Sequence, residues 1–189
     1  MLWSDHTLFI LGHQTREYVT HPRPRVRRQV SPAGRPTGGV VWLWGCFCAD
    51  GLGHVELYEG ALDARRYQSI LALNLVKSAH TFWPSGQWWY QQDNASPHTA
   101  GTSRAWFHTH GIDVLDFPPW SSDLSPIENL WNDLKRRVYA HHPQTMEELK
   151  HFIVVEWQAT QLSFCSHACL SLPQRLQLVL ANKGHKIKY

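Results

Sequence analysis

Apolar residues come in short, strand-like runs in the first half of this chain and at helical spacing towards its end. Leu2-Trp3 reads as the end of a strand, Asp5 breaks the run, and Leu8–Leu11 reads as a second strand. Val40–Cys48 is apolar at almost every position and rich in Val and Trp, the pattern of a strand buried on both faces of a mixed sheet. Asp50-Gly51 then turns the chain into a partner strand near Val55–Tyr58. Asp63 is placed to cap a helix whose apolar face is Tyr67, Ile70, Leu71 and Leu75. Trp88–Gln92 makes a short strand ending at Asp93-Asn94. A helix around Thr102–His110 stops at Gly111, and Ile112–Leu115 makes another strand. Beyond the Pro118-Pro119 loop, Ile127, Leu130, Trp131, Leu134 and Val138 recur at helical spacing, and further helices cover Met146–Ala159 and Leu172–Asn182.

Strands, then alternating strands and helices, then helices alone predict an α/β fold. The expectation is a mixed sheet flanked by helices, with a core over residues 1–140 and a helical C-terminal extension over 141–189 packed on it. No internal repeat is visible.

Composition narrows the class. Of 189 residues, 43% are hydrophobic and 17% charged, which excludes a disordered chain and fits one domain with a sizeable core. A formal charge of +3 permits a nucleic-acid partner without demanding one. The longest apolar run, Val40–Cys48, is too short to span a bilayer, and the first ten residues lack a basic leader. These features predict a soluble intracellular protein with no membrane partner. Cys46 and Cys48 lie two apart on one face of a strand and, with Cys165 and Cys169, read as packed free thiols. The closest His clusters, His141-His142 and His108/His110, have no acid or thiol at zinc-ligand spacing.

One segment is strongly basic. Residues His21–Gly39 hold Arg23, Arg25, Arg27, Arg28 and Arg35, four prolines and no acid. That is a Pro-broken loop, read either as a solvated linker or as a phosphate-contacting arm.

Three acids stand out once the elements are drawn. Asp5 and Asp93 each follow a short apolar strand, and Glu128 sits in the first turn of the Ile127 helix, off its apolar stripe. Each also has a structural explanation. Asp93-Asn94 makes a turn, and Ser125-Pro126-Ile127-Glu128 reads as a complete capping box. Asp116 and Asp123 are rival acids in or beside the Pro-rich loop, where turn formation is the better reading.

Longer motifs carry a resemblance. Gln91-Gln92-Asp93-Asn94-Ala95 with His98-Thr99 resembles the second catalytic motif of Tc/mariner transposases, and Pro118-Pro119-Trp120-Ser121-Ser122-Asp123-Leu124-Ser125-Pro126-Ile127-Glu128-Asn129-Leu130-Trp131 resembles their third. Between Asp93 and Glu128 lie 34 residues (94–127), the separation of the Tc-like branch. Trp3-Ser4-Asp5 with Phe9 resembles the first motif, Val41–Phe47 the central strand, and Leu172-Pro173-Gln174-Arg175 through Tyr189 the C-terminus. His6 stands where the family has Glu, and Ser125 where Asn is commoner. The chain opens just before the first motif, so the helix-turn-helix region of such proteins is not in it and the first strand reads as clipped.

The resemblance implies a ribonuclease H-like fold with a D–D–E triad of Asp5, Asp93 and Glu128 binding two Mg²⁺ or Mn²⁺ ions. It implies hydrolysis of double-stranded DNA at transposon ends, then attack of the freed 3′-hydroxyl on target DNA, in the nucleus. A homodimer in a DNA complex is the expected assembly. On the Glu128 helix, Asn132 and Lys135 share the face of Glu128, and Lys135, Arg136 and Arg137 are candidates for DNA-backbone contact. Asn94 and His98 are candidate neighbours of the site. The alternative is a catalytically inactive or co-opted nucleic-acid-binding fragment.

Overall fold

Side-chain alternation along the first strand sets the layers. A computed structural model describes residues 1–12 and 38–187. β1 (Leu2–Ile10) is the middle strand of a five-stranded sheet ordered β3-β2-β1-β4-β5. β2 (Val40–Cys48) and β3 (Gly51–Tyr58) form an antiparallel ribbon on one side, and β4 (Trp89–Gln91) and β5 (Asp113–Val114) run parallel to β1 on the other. Trp3 and Phe9 of β1 join Val41, Leu43 and Phe47 of β2 in one core, whereas Leu2 joins Trp44, Cys46 and Cys48 in the other. The fold is a mixed sheet with helices on both faces, about half helical.

On the first face lie α5 (Ile127–Ala140), α6 (Met146–Gln158) and α7 (Leu162–Leu170). The five apolar positions expected on α5 are all buried there, alongside Leu149, Ile153 and Trp157 of α6 and Cys165 of α7. The opposite face carries α1 (Ala64–Ile70), which continues through a π turn at Leu71–Leu75 into α2 (Val76–Phe82), together with α3 (Ser96–Thr99) and α4 (Gly101–Thr109). Asp63 caps α1 by accepting from the Arg66 amide at 2.7 Å. The last helix, α8 (Leu172–Ala181), buries Arg175.

Gly45 makes room for the helix layer. It pairs with Asp5 across the β1–β2 ladder, and a Cβ there would stand 2.9 Å from the Trp131 ring and 3.0 Å from that of Trp157. Without one, the indoles of α5 and α6 lie on the sheet with ring centroids 5.7 Å apart.

Three expectations need correction. Asp5 does not separate two strands but sits within one, because its neighbours pair on both sides with β2. The α7 helix was not expected, since Ser, Cys and His interrupt any clear apolar period. The Ser125 capping box does not form: Pro126 is the first capping position, no side chain caps it, and Ser125 is buried. Among the described residues, no helix is long and apolar enough to cross a membrane.

Candidate active site

The register of two adjacent parallel strands brings the first two acids level. Trp3 pairs with Gln91, so Asp5 of β1 and Asp93, two residues past the end of β4, emerge at the same end of the two strands. Glu128 enters from the first turn of α5, whose side chain the missing capping box leaves free. All three line a single cavity of about 460 Å³, which also takes in Asn94, the Pro118–Ser122 loop and Lys186.

Asp5 forms its floor. Burial, with smaller contributions from the Glu128 and Asp93 carboxylates, pushes its carboxyl up to about 7 against an ordinary value of 3.8. Trp131 donates its indole N–H to Asp5 Oδ2 at 3.3 Å, a bond that depends on the space Gly45 leaves. Glu128 is also held above the usual carboxylate range by burial, against the pull of Lys135 and Lys186.

Asp93 has the opposite balance. Burial raises its pKa, but the His98 hydrogen bond and charge bring it below normal. His98 Nδ1 lies 2.5 Å from Asp93 Oδ1, and the buried imidazole reaches His6 Nε2 at 3.0 Å through its own Nε2. His6 Nδ1 in turn meets the Tyr58 hydroxyl at 2.8 Å. Burial, aided by His98, lowers the His6 pKa to about 3, so its ring is neutral. One assignment of protons satisfies the whole chain: Tyr58 O–H donates to His6, His6 Nε2–H to His98, and His98 Nδ1–H to Asp93. Tyr67 stacks on His98 at 4.1 Å and fixes the plane of that ring.

Comparison with known proteins follows the same lines. A family model described as DDE superfamily endonuclease matches residues 1–150. The transposable element Tc1 transposase of Caenorhabditis elegans is 30% identical over 194 residues, covering 100% of this chain and 70% of that protein. The Tcb1 transposase of Caenorhabditis briggsae is 28% identical over 191 residues, with the same coverage. This chain belongs to the Tc/mariner transposases of the DDE superfamily.

The fold agrees. The Mos1 transposase paired-end complex with left transposon end superposes with a TM-score of 0.80 at 21% identity, over 99% of this chain and 56% of that one. The isolated Mos1 catalytic domain gives 0.77 at 18% identity, over 99% and 83%. The chain thus spans just over half of the longer Mos1 protein.

In this Tc/mariner domain the remaining sequence-predicted residues fall in different places. Asn94 lines the cavity and donates to the Phe117 carbonyl at 2.8 Å, tying the end of β4 to the Pro-rich loop. Lys135 is half-buried, with its ammonium 5.8 Å from the centre of the Phe9 ring, and it shares the electrostatic environment of Glu128 and Asp5. Asn132 is exposed, as is Arg136, which pairs with Asp133 at 2.5 Å. Arg137 is held in ion pairs with Asp133 and Glu156 and is not among the residues that line the cavity. Arg23, Arg25, Arg27, Arg28 and Arg35 lie outside the described residues. His141 is taken up by Glu156 at 2.6 Å and by stacking on Phe152.

Two neighbours of the site lie in the segment that resembles the family's C-terminus, but nothing in the sequence places them at the cavity. Lys186 reaches the cavity wall from beyond α8, where its Nζ meets Ser122 Oγ at 3.4 Å. Arg175 bonds the Asp123 carbonyl at 3.0 Å and Asn129 Oδ1 at 2.6 Å, joining α8 to the loop and to α5 next to Glu128. Neither relation is periodic or local, so only the fold exposes it.

Proposed function

We propose that this chain is the catalytic domain of a cut-and-paste DNA transposase, with Asp5, Asp93 and Glu128 as its metal-binding carboxylates. The reaction is hydrolysis of DNA phosphodiester bonds at transposon ends, followed by transesterification into target DNA. The observation that carries this reading is the meeting of three acids, from two parallel strands and a helix, in one cavity.

The donor set fits a hard divalent cation. All three acids offer only oxygen, and burial, with a smaller push from Glu128 and Asp93, raises the Asp5 carboxyl to about 7, a penalty that a cation would relieve. Among the described residues no three such groups form a ready cage: Asp93 is turned to His98 and Asp5 to Trp131, so Asp5, Asp93 and Glu128 would have to turn towards the cavity to hold an ion. Solved Mos1 transposase structures carry Mn or Mg, which supports Mg²⁺ or Mn²⁺ here; the proposal of two ions rests on the chemistry, one activating the attacking oxygen and one stabilising the leaving oxygen. Bound there, the metal supplies Lewis-acid polarisation of the phosphate and a lowered pKa for the attacking oxygen.

The chain's own residues set the stage for that chemistry. Trp131 orients Asp5 through one oxygen and leaves the other free, and His98 does the same for Asp93. Lys135 and Lys186 place positive charge beside Glu128, where a DNA phosphate enters. The Mos1 paired-end complexes support double-stranded transposon ends as the substrate and a paired assembly of two copies. Such an enzyme acts on chromosomal DNA, and the proposed location is the nucleus.

The test is plasmid nicking by the purified 189-residue chain in Mg²⁺ or Mn²⁺, beside an Asp93→Ala control. Nicking that disappears with Asp93 and with EDTA supports the proposal. Equal cleavage by both proteins, or none by either, identifies a non-catalytic fragment.

A further inference from the structure

Trp120 is 97% exposed, although Trp is among the side chains that most favour burial. It also holds φ at +62°, a left-handed backbone conformation that L residues with a side chain rarely adopt. Other tryptophans of this chain pack on rings, as Trp83 does on Trp88, Trp106 on His110 and Trp131 on Trp157. Among the described residues the Trp120 indole has neither a ring contact nor a hydrogen bond.

This exposure does not come from a loose loop. Asn94 holds the Phe117 carbonyl before it, and Arg175 holds the Asp123 carbonyl after it. The Ile187 amide donates to Asp123 Oδ2 at 2.8 Å, and Pro118 and Pro119 restrict the approach. The braced segment sets Trp120 on the wall of the cavity that contains Asp5, Asp93, Glu128 and Lys186.

We propose that Trp120 is a stacking platform for a nucleobase of the strand being cut, one that has left the duplex stack beside the scissile phosphate. This rests on the reading of the cavity as a DNA-cleaving site. With a phosphate drawn in by Lys135 and Lys186, the adjoining base comes to the cavity wall, where a flat aromatic face waits. Bases within B-form DNA have both faces covered by neighbours, so the platform selects an unstacked or extruded base. The bound DNA is therefore locally opened at the cut, and the chain should favour duplexes that are already weak there.

The probe is a short duplex carrying one unpaired 2-aminopurine, beside the same duplex fully paired. Wild type, Trp120→Ala and Trp120→Phe are compared by titration in Ca²⁺ and by plasmid nicking in Mg²⁺. Wild type should quench the 2-aminopurine and prefer the unpaired duplex. Trp120→Ala should lose about tenfold of that preference together with the altered fluorescence, while Trp120→Phe keeps most of both. The slope of affinity with salt should be unchanged, because no charge is removed. An unaltered preference in Trp120→Ala, or no preference in wild type, overturns the proposal. Trp120-dependent stacking without Asp93-dependent nicking would instead sink the catalytic reading, overturn the placement beside a scissile phosphate, and leave Trp120 as a base-stacking contact of a DNA-binding fragment.

Discussion

At the scale of single residues, burial dominates the electrostatics of the acid cluster. It pushes the Asp5 carboxyl up to about 7, so the folded protein keeps a proton that the unfolded chain releases above its ordinary value of 3.8. The contribution of this proton to stability is present below that value and is lost as pH rises towards 7. Asp5→Asn keeps the shape and removes the titration. In EDTA at pH 8 the variant should be more stable than wild type by about 2 kcal/mol, with the difference vanishing near pH 4, while nicking is abolished. Denaturant titrations at the two pH values check this, and a variant less stable than wild type at pH 8 refutes it. The His98 partner of Asp93 gives a second expectation. His98→Ala should cut metal-dependent nicking by roughly 10- to 100-fold, as loss of an orienting partner does, with DNA affinity in Ca²⁺ retained. Equal nicking rates would show that the Tyr58–His6–His98 chain has no part in placing Asp93.

Among the elements, legibility followed periodicity. The apolar stripe of α5, the doubly buried β2 and the Asp63 cap of α1 were readable because each depends on local spacing. Polarity misled at β1, where Asp5 looks like an interruption but is a cavity-lining side chain on a strand that pairs normally. The same holds for the apparent capping box. Ser125 is drawn into the interior and Glu128 into the cavity, so tertiary demand overrode a good local motif. The contact between sheet and helix layer at Gly45 was not readable at all, since it joins residues of three distant elements. Gly45→Val should force the Trp131 and Trp157 indoles outward, cost about 1–3 kcal/mol in chemical denaturation, and weaken the Trp131–Asp5 bond. A variant as stable as wild type would mean that this layer repacks more freely than the 2.9 Å approach implies.

Over the whole molecule, the family was legible because the third motif is long, whereas the brace behind the cavity was not. Arg175 is buried, and its bonds run to the loop, to α5 and to Ser171 at the start of its own helix. Arg175→Met should leave the Asp123 carbonyl and the Asn129 side chain short of a partner, with a cost of about 3 kcal/mol. Nicking measured on the fraction that stays folded should fall as well, because Asn129 is the neighbour of Glu128. Full activity in that folded fraction would confine Arg175 to stability.

The brace also imposes an order on synthesis. Asp5, Asp93 and Glu128 are made before Arg175, Lys186 and Ile187, yet the loop and helix beside them are held by the two later side chains and by the Ile187 amide. A nascent chain still in the exit tunnel, or one cut short by a late stop codon, would possess all three acids and yet lack a finished pocket. The pocket is thus finished only once residues 175–187 have been made, well after the acids that line it.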